Sequence, residues 1–268
     1  MQRIKFWKMS GAGNDFILLS GGRAGGGALK KLAVRLCAPK TGIGADGLLY
    51  VNKSGPAAVS VRYFNSDGSE AFCGNGSRCA AWWAWSEGLM KNRSFVLHSA
   101  AGRLAAEITA EQSVKMRMPD VKAVSLCQAG AWPKPVKTVH FLNTGVPHAV
   151  VPVANIKDLD VAVLGRTLRY HRVFGPAGAN VNFVRLHKGA IKLRTYERGV
   201  EAETLACGTG IAASAVALGL ALGLGSPVTL IPVTGEKFKV WYRRQGAGAA
   251  DIYVQGPAKI VFTGRIDL

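Results

Sequence analysis

The feature that most constrains this chain is a short motif, Cys-Gly-X-Gly, which occurs twice and leads each time into an apolar segment. The copies begin at Cys73 and Cys207, which lie 207 − 73 = 134 residues apart in a chain of 268. Segments of alternating apolar and polar residues precede each copy, which is the pattern of half-buried strands. The repeat predicts two similar halves, each with several strands, one motif and one central helix.

The helices predicted after the two motifs are apolar on most of their faces. The segment Ile211–Leu224 is 14 residues long, and a membrane-spanning helix needs roughly 20. A helix that is apolar all round must be surrounded by protein, so we expect a curved sheet wrapped around it. The segment Cys79–Met90 contains three tryptophans and is predicted to be a second buried helix. A third helix is predicted over 28–37.

Composition favours a globular protein of a reducing compartment. Hydrophobic residues make up 49% of the chain, which is enough for a substantial core. The five cysteines are odd in number and irregularly spaced, so they do not form a disulfide framework. The first residues lack the apolar region and cleavage site of a secretory signal. We therefore expect a cytoplasmic protein with no membrane segment.

The chain is strongly basic, with 34 Lys and Arg against 16 Asp and Glu and a net charge of +18. Such a balance raises the hypothesis of nucleic-acid binding. The basic residues are spread along the sequence, however, and the densest groups, such as Lys30-Lys31 and Arg243-Arg244, are short. The sequence therefore predicts a solvated surface that attracts anionic substrates, and it argues against nucleic acid as a partner.

The two motifs place a thiol at the start of a helix. A helix N-terminus carries unpaired N–H groups and a partial positive charge, which lowers the pKa of a nearby thiol and can hold a carboxylate. Glycines in the motif let the backbone approach a ligand closely. If the two halves face each other, Cys73 and Cys207 could flank one α-carbon. One thiolate would remove its proton and the opposite thiol would return one, which inverts the stereocentre.

At these residues the chain resembles the diaminopimelate epimerase family. Eight stretches match the family's motifs in the family's order and span nearly the whole chain. They are Gly11–Phe16, Gly44–Gly47, Phe64–Gly68, Cys73–Arg78, Pro147-His148, Asn180–Phe183, Tyr196–Val200 and Ala206–Gly210.

The resemblance implies an α/β (α+β) fold of two pseudo-symmetric lobes, each a mostly antiparallel curved sheet or barrel around a central helix, with the active site in the cleft between them. We expect the first lobe over 1–118, with 259–268 returning to it, and the second over 119–258. The implied reaction interconverts LL- and meso-2,6-diaminopimelate on the route to lysine and peptidoglycan. It needs neither pyridoxal phosphate nor metal, and a homodimer is expected.

The resemblance also assigns roles, residue by residue. Cys73 and Cys207 match the acid/base thiols, and His148 and Glu197 match the pair that tunes them. The remaining matched positions would bind substrate. Gly74, Asn75, Gly208 and Thr209 match the cradle of the α-carboxylate; Glu197 also matches the contact to the α-ammonium; Asn65, Asn180 and Arg198 match the clamp on the far carboxylate and amine; Asn14 matches a further binding position.

Two positions depart from the family pattern, and both touch the distal clamp. Many members have Asn before the Pro-His pair, where this chain has Val146, although Asn143 lies three residues earlier. Some members have Gln where this chain has Gly47. These changes put the identity of the substrate in more doubt than the type of reaction.

Three alternatives stay open. A racemase of another amino acid, such as histidine or proline, would leave Arg198 without a carboxylate partner, which is costly for a buried cation. A nucleic-acid or other binding protein on the same scaffold would not need both cysteines and Glu197. A thiol redox protein could use Cys73 and Cys207, but their oxidation to a disulfide is predicted to inactivate an epimerase.

Overall fold

The computed structural model describes residues 3–22, 24–128 and 130–267. The chain separates into two compact units, one formed by Met1–Met116 with Gly256–Leu268 and the other by Arg117–Gln255. Residues 1, 2 and 268 of the predicted first lobe lie outside the described residues. In the part of the chain that is described, no helix combines the length and apolarity needed to span a membrane.

The described residues form eighteen strands and four α-helices, with one short 3-10 helix at Arg172–Phe174. The elements up to residue 117 are β1 (Arg3–Gly11), β2 (Asn14–Ser20), α1 (Gly26–Cys37), β3 (Gly47–Gly55), β4 (Ala58–Asn65), β5 (Glu70–Ala71), α2 (Gly74–Ser86), β6 (Ser94–Ser99), β7 (Gly102–Ala110) and β8 (Ser113–Arg117). The remaining elements are β9 (Val124–Gln128), β10 (Val139–Asn143), β11 (Pro147–Pro152), α3 (Val161–Arg169), β12 (Asn180–His187), β13 (Ala190–Glu197), β14 (Ala202–Thr204), α4 (Gly208–Leu222), β15 (Val228–Ile231), β16 (Phe238–Gln245), β17 (Gly248–Pro257) and β18 (Lys259–Asp267).

The first unit is a sheet wrapped around α2. Its strands follow the order β18, β1, β2, β3, β4, β6, β7, β8, and the β2–β3 and β4–β6 pairs are parallel while the others are antiparallel. Helix α2 packs against six of these strands. Alternate residues of β2 serve two cores, because Phe16 and Leu18 pack with α2 while Ile17 and Leu19 pack with α1.

The second unit repeats this connectivity around α4. Its order is β9, β10, β11, β12, β13, β15, β16, β17, and again two pairs, β11–β12 and β13–β15, are parallel. Helix α3 bridges the first parallel pair and α4 bridges the second, as α1 and α2 do in the first unit. The predicted α/β class, with a mostly antiparallel sheet around one central helix in each half, is confirmed.

Both central helices begin directly after the motif cysteine. Cys73 and Cys207 are the N-cap residues of α2 and α4, with extended backbones at φ −135°, ψ 115° and φ −111°, ψ 113°. Helix α4 ends where Gly223 adopts the left-handed conformation at φ 66°, which is a common helix stop. Both helices thus start several residues earlier than the apolar segments alone predicted.

Helix α3 was not predicted from the sequence. Asp160 caps it, since the Asp160 Oδ1 atom accepts a hydrogen bond from the Val163 N–H at 3.0 Å. Val161, Leu164 and Leu168 form its buried stripe. Its glycine lies against an aromatic side chain, because a Cβ atom added at Gly165 would lie 2.5 Å from the Tyr196 Cβ atom.

We expect Gly165→Ala to lower the free energy of unfolding by about 1–3 kcal/mol, which is the usual cost of overpacking a close contact. Gly27→Ala is the matched control, because Gly27 is a helical glycine of α1 with no heavy atom within 4 Å of an added Cβ. The control should be neutral or slightly stabilising. Urea titrations of both variants measure the difference, and equal stabilities would show that Tyr196 yields to the added methyl group.

Candidate active site

In the first unit, Cys73 lies at the start of α2 with its side chain partly exposed. The Gly76 N–H donates to the Cys73 Sγ atom at 3.4 Å, and the Ser77 N–H donates to the Cys73 carbonyl at 2.9 Å. No heavy atom lies within 4 Å of the position that a Gly74 side chain would occupy. An anion can therefore approach the first turn, where helix N–H groups lack intrahelical partners.

A chain of oriented amides connects the predicted residues Asn14 and Asn75. The Asn75 Nδ2 atom donates to Asn14 Oδ1 at 2.7 Å, and the Asn14 Nδ2 atom donates to Asp46 Oδ2 at 2.8 Å. The Arg78 Nη2 atom donates to Asn75 Oδ1 at 2.7 Å. Asp46 and Arg78, to which the sequence analysis assigned no role, thus fix which way each amide points.

Asn65 lies at the end of β4, directly opposite Gly47 of β3. The Asn65 Nδ2 atom donates to Ser69 Oγ at 2.9 Å within its own turn. A Cβ atom at Gly47 would lie 2.4 Å from the Tyr63 ring and 2.5 Å from the Phe64 carbonyl oxygen. The departure from the family pattern at Gly47 therefore has a structural reason, since Tyr63 fills the space of a side chain there.

In the second unit, His148 is fully buried on β11 beside Asn180 of the parallel strand β12. The Asn182 Nδ2 atom lies 2.9 Å from His148 Nδ1, and the Thr195 hydroxyl donates to Asn182 Oδ1 at 3.1 Å. Because the Thr195 bond turns the amide nitrogen toward the imidazole, Nδ1 must accept and the ring proton must reside on Nε2.

The His148 Nε2 atom is buried and has no hydrogen-bond partner among the described residues. Burial, reinforced by the Arg198 cation, lowers the pKa of His148 to about 3. The imidazole is therefore neutral at pH 7, and it offers one N–H donor to a ligand.

Asn180 links the predicted binding residue Arg198 to the start of β11. Its Nδ2 atom donates to the Pro147 carbonyl at 3.1 Å, and its Oδ1 atom accepts from the Arg198 N–H at 2.9 Å. Glu197 precedes Arg198 and accepts from the Thr204 hydroxyl at 2.9 Å. Burial raises the pKa of Glu197, and the Thr204 hydrogen bond partly opposes that shift.

Cys207 is buried at the start of α4. Its Sγ atom lies 3.3 Å from the Thr209 hydroxyl, and the Thr209 carbonyl accepts from the Thr144 hydroxyl at 3.1 Å. A Cβ atom at Gly210 would lie 2.3 Å from Asn182 Oδ1. Asn182 therefore lies against the helix that presents Cys207 and also holds the His148 ring, so it couples the two.

Asn182 is the main residue of this half that the sequence analysis missed. A usable signal was present, since Asn180 and Asn182 alternate on one strand and so point to the same side of the sheet. The Asn143 Oδ1 atom, three residues before Val146, accepts from the Gly145 N–H at 2.8 Å in a local turn. Among the residues that the structure describes, no group of three or more His, Cys, Asp and Glu side chains is arranged to hold a metal ion.

The sequence comparisons agree with these motifs. The sequence model of the family described as diaminopimelate epimerase matches residues 6–124 and 140–261. The chain belongs to the diaminopimelate epimerase family. It is 40% identical to the diaminopimelate epimerase of Chlorobaculum tepidum over 97% of this chain and 100% of the relative. It is 37% identical to that of Aquifex aeolicus, with 98% of each chain covered.

Solved structures show the same fold at lower identity. A PhzF-family phenazine biosynthesis protein of Bacillus anthracis matches with a TM-score of 0.79 at 15% identity, covering 100% of both chains. A probable proline racemase of Agrobacterium radiobacter matches with a TM-score of 0.70 at 19% identity, covering 99% of this chain and 93% of the other. At these identities the likeness extends to the fold alone.

The low pKa of His148 predicts a loss of stability in mild acid. The folded-state pKa of about 3 lies below the ordinary value of 6.5, so the unfolded chain binds the proton first as the pH falls. The free energy of unfolding should therefore decrease below pH 6.5, by about 2 kcal/mol between pH 7 and pH 5 from this group. Urea titrations of the wild type and His148→Gln at both pH values test this, and an identical pH dependence in the two proteins would contradict it.

Proposed function

We propose that this chain interconverts LL- and meso-2,6-diaminopimelate by moving one α-proton between Cys73 and Cys207. The observation that carries the proposal is the repeated placement of a cysteine at the N-cap of each central helix, in two units of the same connectivity. Membership of the diaminopimelate epimerase family supports the substrate. The reaction would supply precursors of lysine and peptidoglycan.

The proposed reaction is a proton exchange with no net change in atoms or charge. One thiolate takes the α-proton and becomes a thiol, leaving a carbanion whose charge spreads onto the α-carboxylate. The other thiol gives its proton to the opposite face of the same carbon and becomes a thiolate. The N–H groups at the starts of α2 and α4, near Gly74, Asn75, Gly208 and Thr209, would stabilise the carboxylate oxygens as charge develops.

His148 and Glu197 would set the electrostatics around Cys207 and the substrate. The neutral His148 ring offers its Nε2–H as a donor, and Asn182 keeps that tautomer in place. Glu197, beside Thr204, would accept the α-ammonium group, whose positive charge would favour the carboxylate form of this glutamate.

Arg198, with Asn180 and Asn65, would bind the far end of the substrate, and Asn14 would supply a further contact. The Asn180 side chain fixes the Arg198 backbone at 2.9 Å, and the planar guanidinium can form two parallel hydrogen bonds with a carboxylate. The substrate of a histidine or proline racemase would have no second carboxylate to bind the Arg198 guanidinium. We therefore favour a substrate with a carboxylate at each end.

The proposed chemistry uses the side chains alone, without pyridoxal phosphate or metal. Because two thiols must stay reduced for it, we expect the enzyme to work in the cytoplasm, where disulfides are kept reduced.

We expect Cys73→Ala and Cys207→Ala each to lower the epimerisation rate by about 100- to 10,000-fold, since each removes one acid/base group. The measurement is conversion of LL- to meso-diaminopimelate in deuterated water without added cofactor, followed as deuterium at the α-carbon of the inverted product. Cys127→Ala is the control, because Cys127 is an exposed cysteine on β9. Elimination of hydrogen halide from a halogenated analogue needs one base, so its persistence in the single variants shows that they are folded.

Near-normal epimerisation by either variant would contradict the role given to that cysteine, whereas exchange without inversion needs only the remaining thiol. The same assay with histidine and proline separates the alternatives. Exchange with one of those amino acids but not with diaminopimelate would keep the two-thiol chemistry and overturn the substrate.

We further propose that the enzyme is a homodimer that uses β18. This strand pairs with β1 at the end of the first unit's strand order and exposes Val261 and Phe262 at 54% and 49% of their surfaces, and an exposed apolar edge strand favours association. Phe262→Glu should shift the protein to monomers in sedimentation experiments. Val163→Glu, at an exposed apolar position of α3, should leave the assembly unchanged, and a wild-type monomer would refute the proposal.

A further inference from the structure

The second unit carries an open basic groove of about 1570 Å³. Six lysine and arginine side chains line it beside the Arg194–Glu203 pair, namely Lys157, Arg185, Lys188, Lys192, Lys237 and Lys239. Glu203 does not neutralise these six, because it binds Arg194 through two bonds of 2.7 Å. Thr204, which donates to Glu197 in the candidate site, also lines the groove, but the proposed epimerase chemistry uses none of the six cations.

Strand register explains why residues so far apart in sequence meet here. Arg185 of β12 pairs with Lys192 of β13, which pairs with Ile231 of β15. Two residues earlier on β15, Thr229 pairs with Lys239 of β16. Paired residues share a face of the sheet, so all five project from one face. The residues that alternate with these five along the strands point to the other face and fill the core. They are Val184, Ile191, Leu193, Leu230, Phe238 and Val240.

The six cations form no ion pair with any acidic side chain that the structure describes. Lys188 stands at the tip of the β12–β13 hairpin, where its φ of 49° and the φ of 77° at Gly189 form a tight turn. Lys192 is half-buried, and the other five are exposed. Like charges held on neighbouring strands repel one another, so an anion that binds several of them at once relieves this repulsion.

The proposed substrate does not account for this groove. Diaminopimelate carries two carboxylates and two ammonium groups at neutral pH, so it is close to neutral and gains little from an array of cations. The array spans three strand spacings, or roughly 14 Å. That width matches an extended anion with many charges better than a single small one.

The lining also distinguishes among extended anions. The described lining contains no Phe, Tyr or Trp, and His187 supplies its one imidazole, so it lacks the row of aromatic platforms on which successive single-stranded bases stack. Lysine and arginine without such a platform suit the phosphate backbone of a duplex, which carries one charge per about 1.7 Å of its axis.

We propose that this basic groove binds the phosphate backbone of double-stranded nucleic acid without reading its sequence. In the sequence the basic residues are dispersed along the chain, which argues against such a partner. The fold gathers them onto one face, which removes that objection.

The test is fluorescence anisotropy of a labelled DNA duplex with the full-length protein at several salt concentrations. The groove variant replaces Arg185, Lys192 and Lys239 with Gln. The control variant replaces Lys31, Lys53 and Lys91 with Gln, which removes the same charge from exposed positions of the first unit. We expect the groove variant to bind more weakly and to reduce the slope of log affinity against log salt by about 2.7, at ~0.9 for each lost phosphate contact.

Epimerase activity should be unchanged in both variants, which separates this test from that of the proposed function. An equal loss of affinity in the control would show that total charge, and not the groove, binds the duplex. Absence of binding at low salt would refute the proposal outright. Equally tight binding of a polyglutamate of matched charge would refute the assignment to nucleic acid.

Discussion

Burial of one helix inside each sheet is the constraint on which the rest of the structure depends. Residues Asn75–Ala84 of α2 and Gly210–Gly219 of α4 are all buried. Helix α4 touches seven strands of its unit, so it cannot slide or rotate without disturbing most of the core. The first turn of the helix is therefore fixed by packing, and so is the thiol at its N-cap. Core residues far from the site determine where Cys207 lies.

A cysteine at the N-cap stabilises the helix less than the preferred N-cap residues do, but it places a reactive thiol at the helix start. Ser, Thr, Asp and Asn are the preferred N-cap residues because their oxygens accept strong hydrogen bonds from the first turn. The Cys73 Sγ atom accepts from the Gly76 N–H at a long 3.4 Å, and the cap of α4 has no side-chain hydrogen bond to its own helix N–H groups. Burial of both helices along most of their length offsets the weak hydrogen bonds at their N-caps. The N–H groups at each helix start therefore remain able to interact with an anion.

The sequence predicts those features that depend on local pattern and misses those that depend on contacts across the sheet. The repeated motif and the apolar segments were sufficient to identify α2, α4 and a sheet around each, and the family resemblance implied that these sheets are mostly antiparallel. Helix α3 was not predicted because Gly165 weakens its helical sequence pattern. The close approach of Tyr196 explains why a glycine is present there. At the site, Asn182 acquires its role from a neighbouring strand and from α4. The basic groove likewise depends on strand register, which no single segment of the sequence contains.

In the second unit, the titratable and charged residues of the candidate site lie near one another, but the described residues do not fully pair their charges. Burial, reinforced by the Arg198 cation, lowers the pKa of His148, and burial raises the pKa of Glu197, so each ionised form is less favourable in the folded protein than in water. A zwitterionic ligand of the proposed kind would supply a carboxylate for Arg198 and an ammonium group for Glu197. Its binding would then relieve two unfavourable interactions at once, whereas an amino acid with one carboxylate would relieve only part of them. The electrostatics of His148, Glu197 and Arg198 thus favour the same substrate class as the proposed chemistry does.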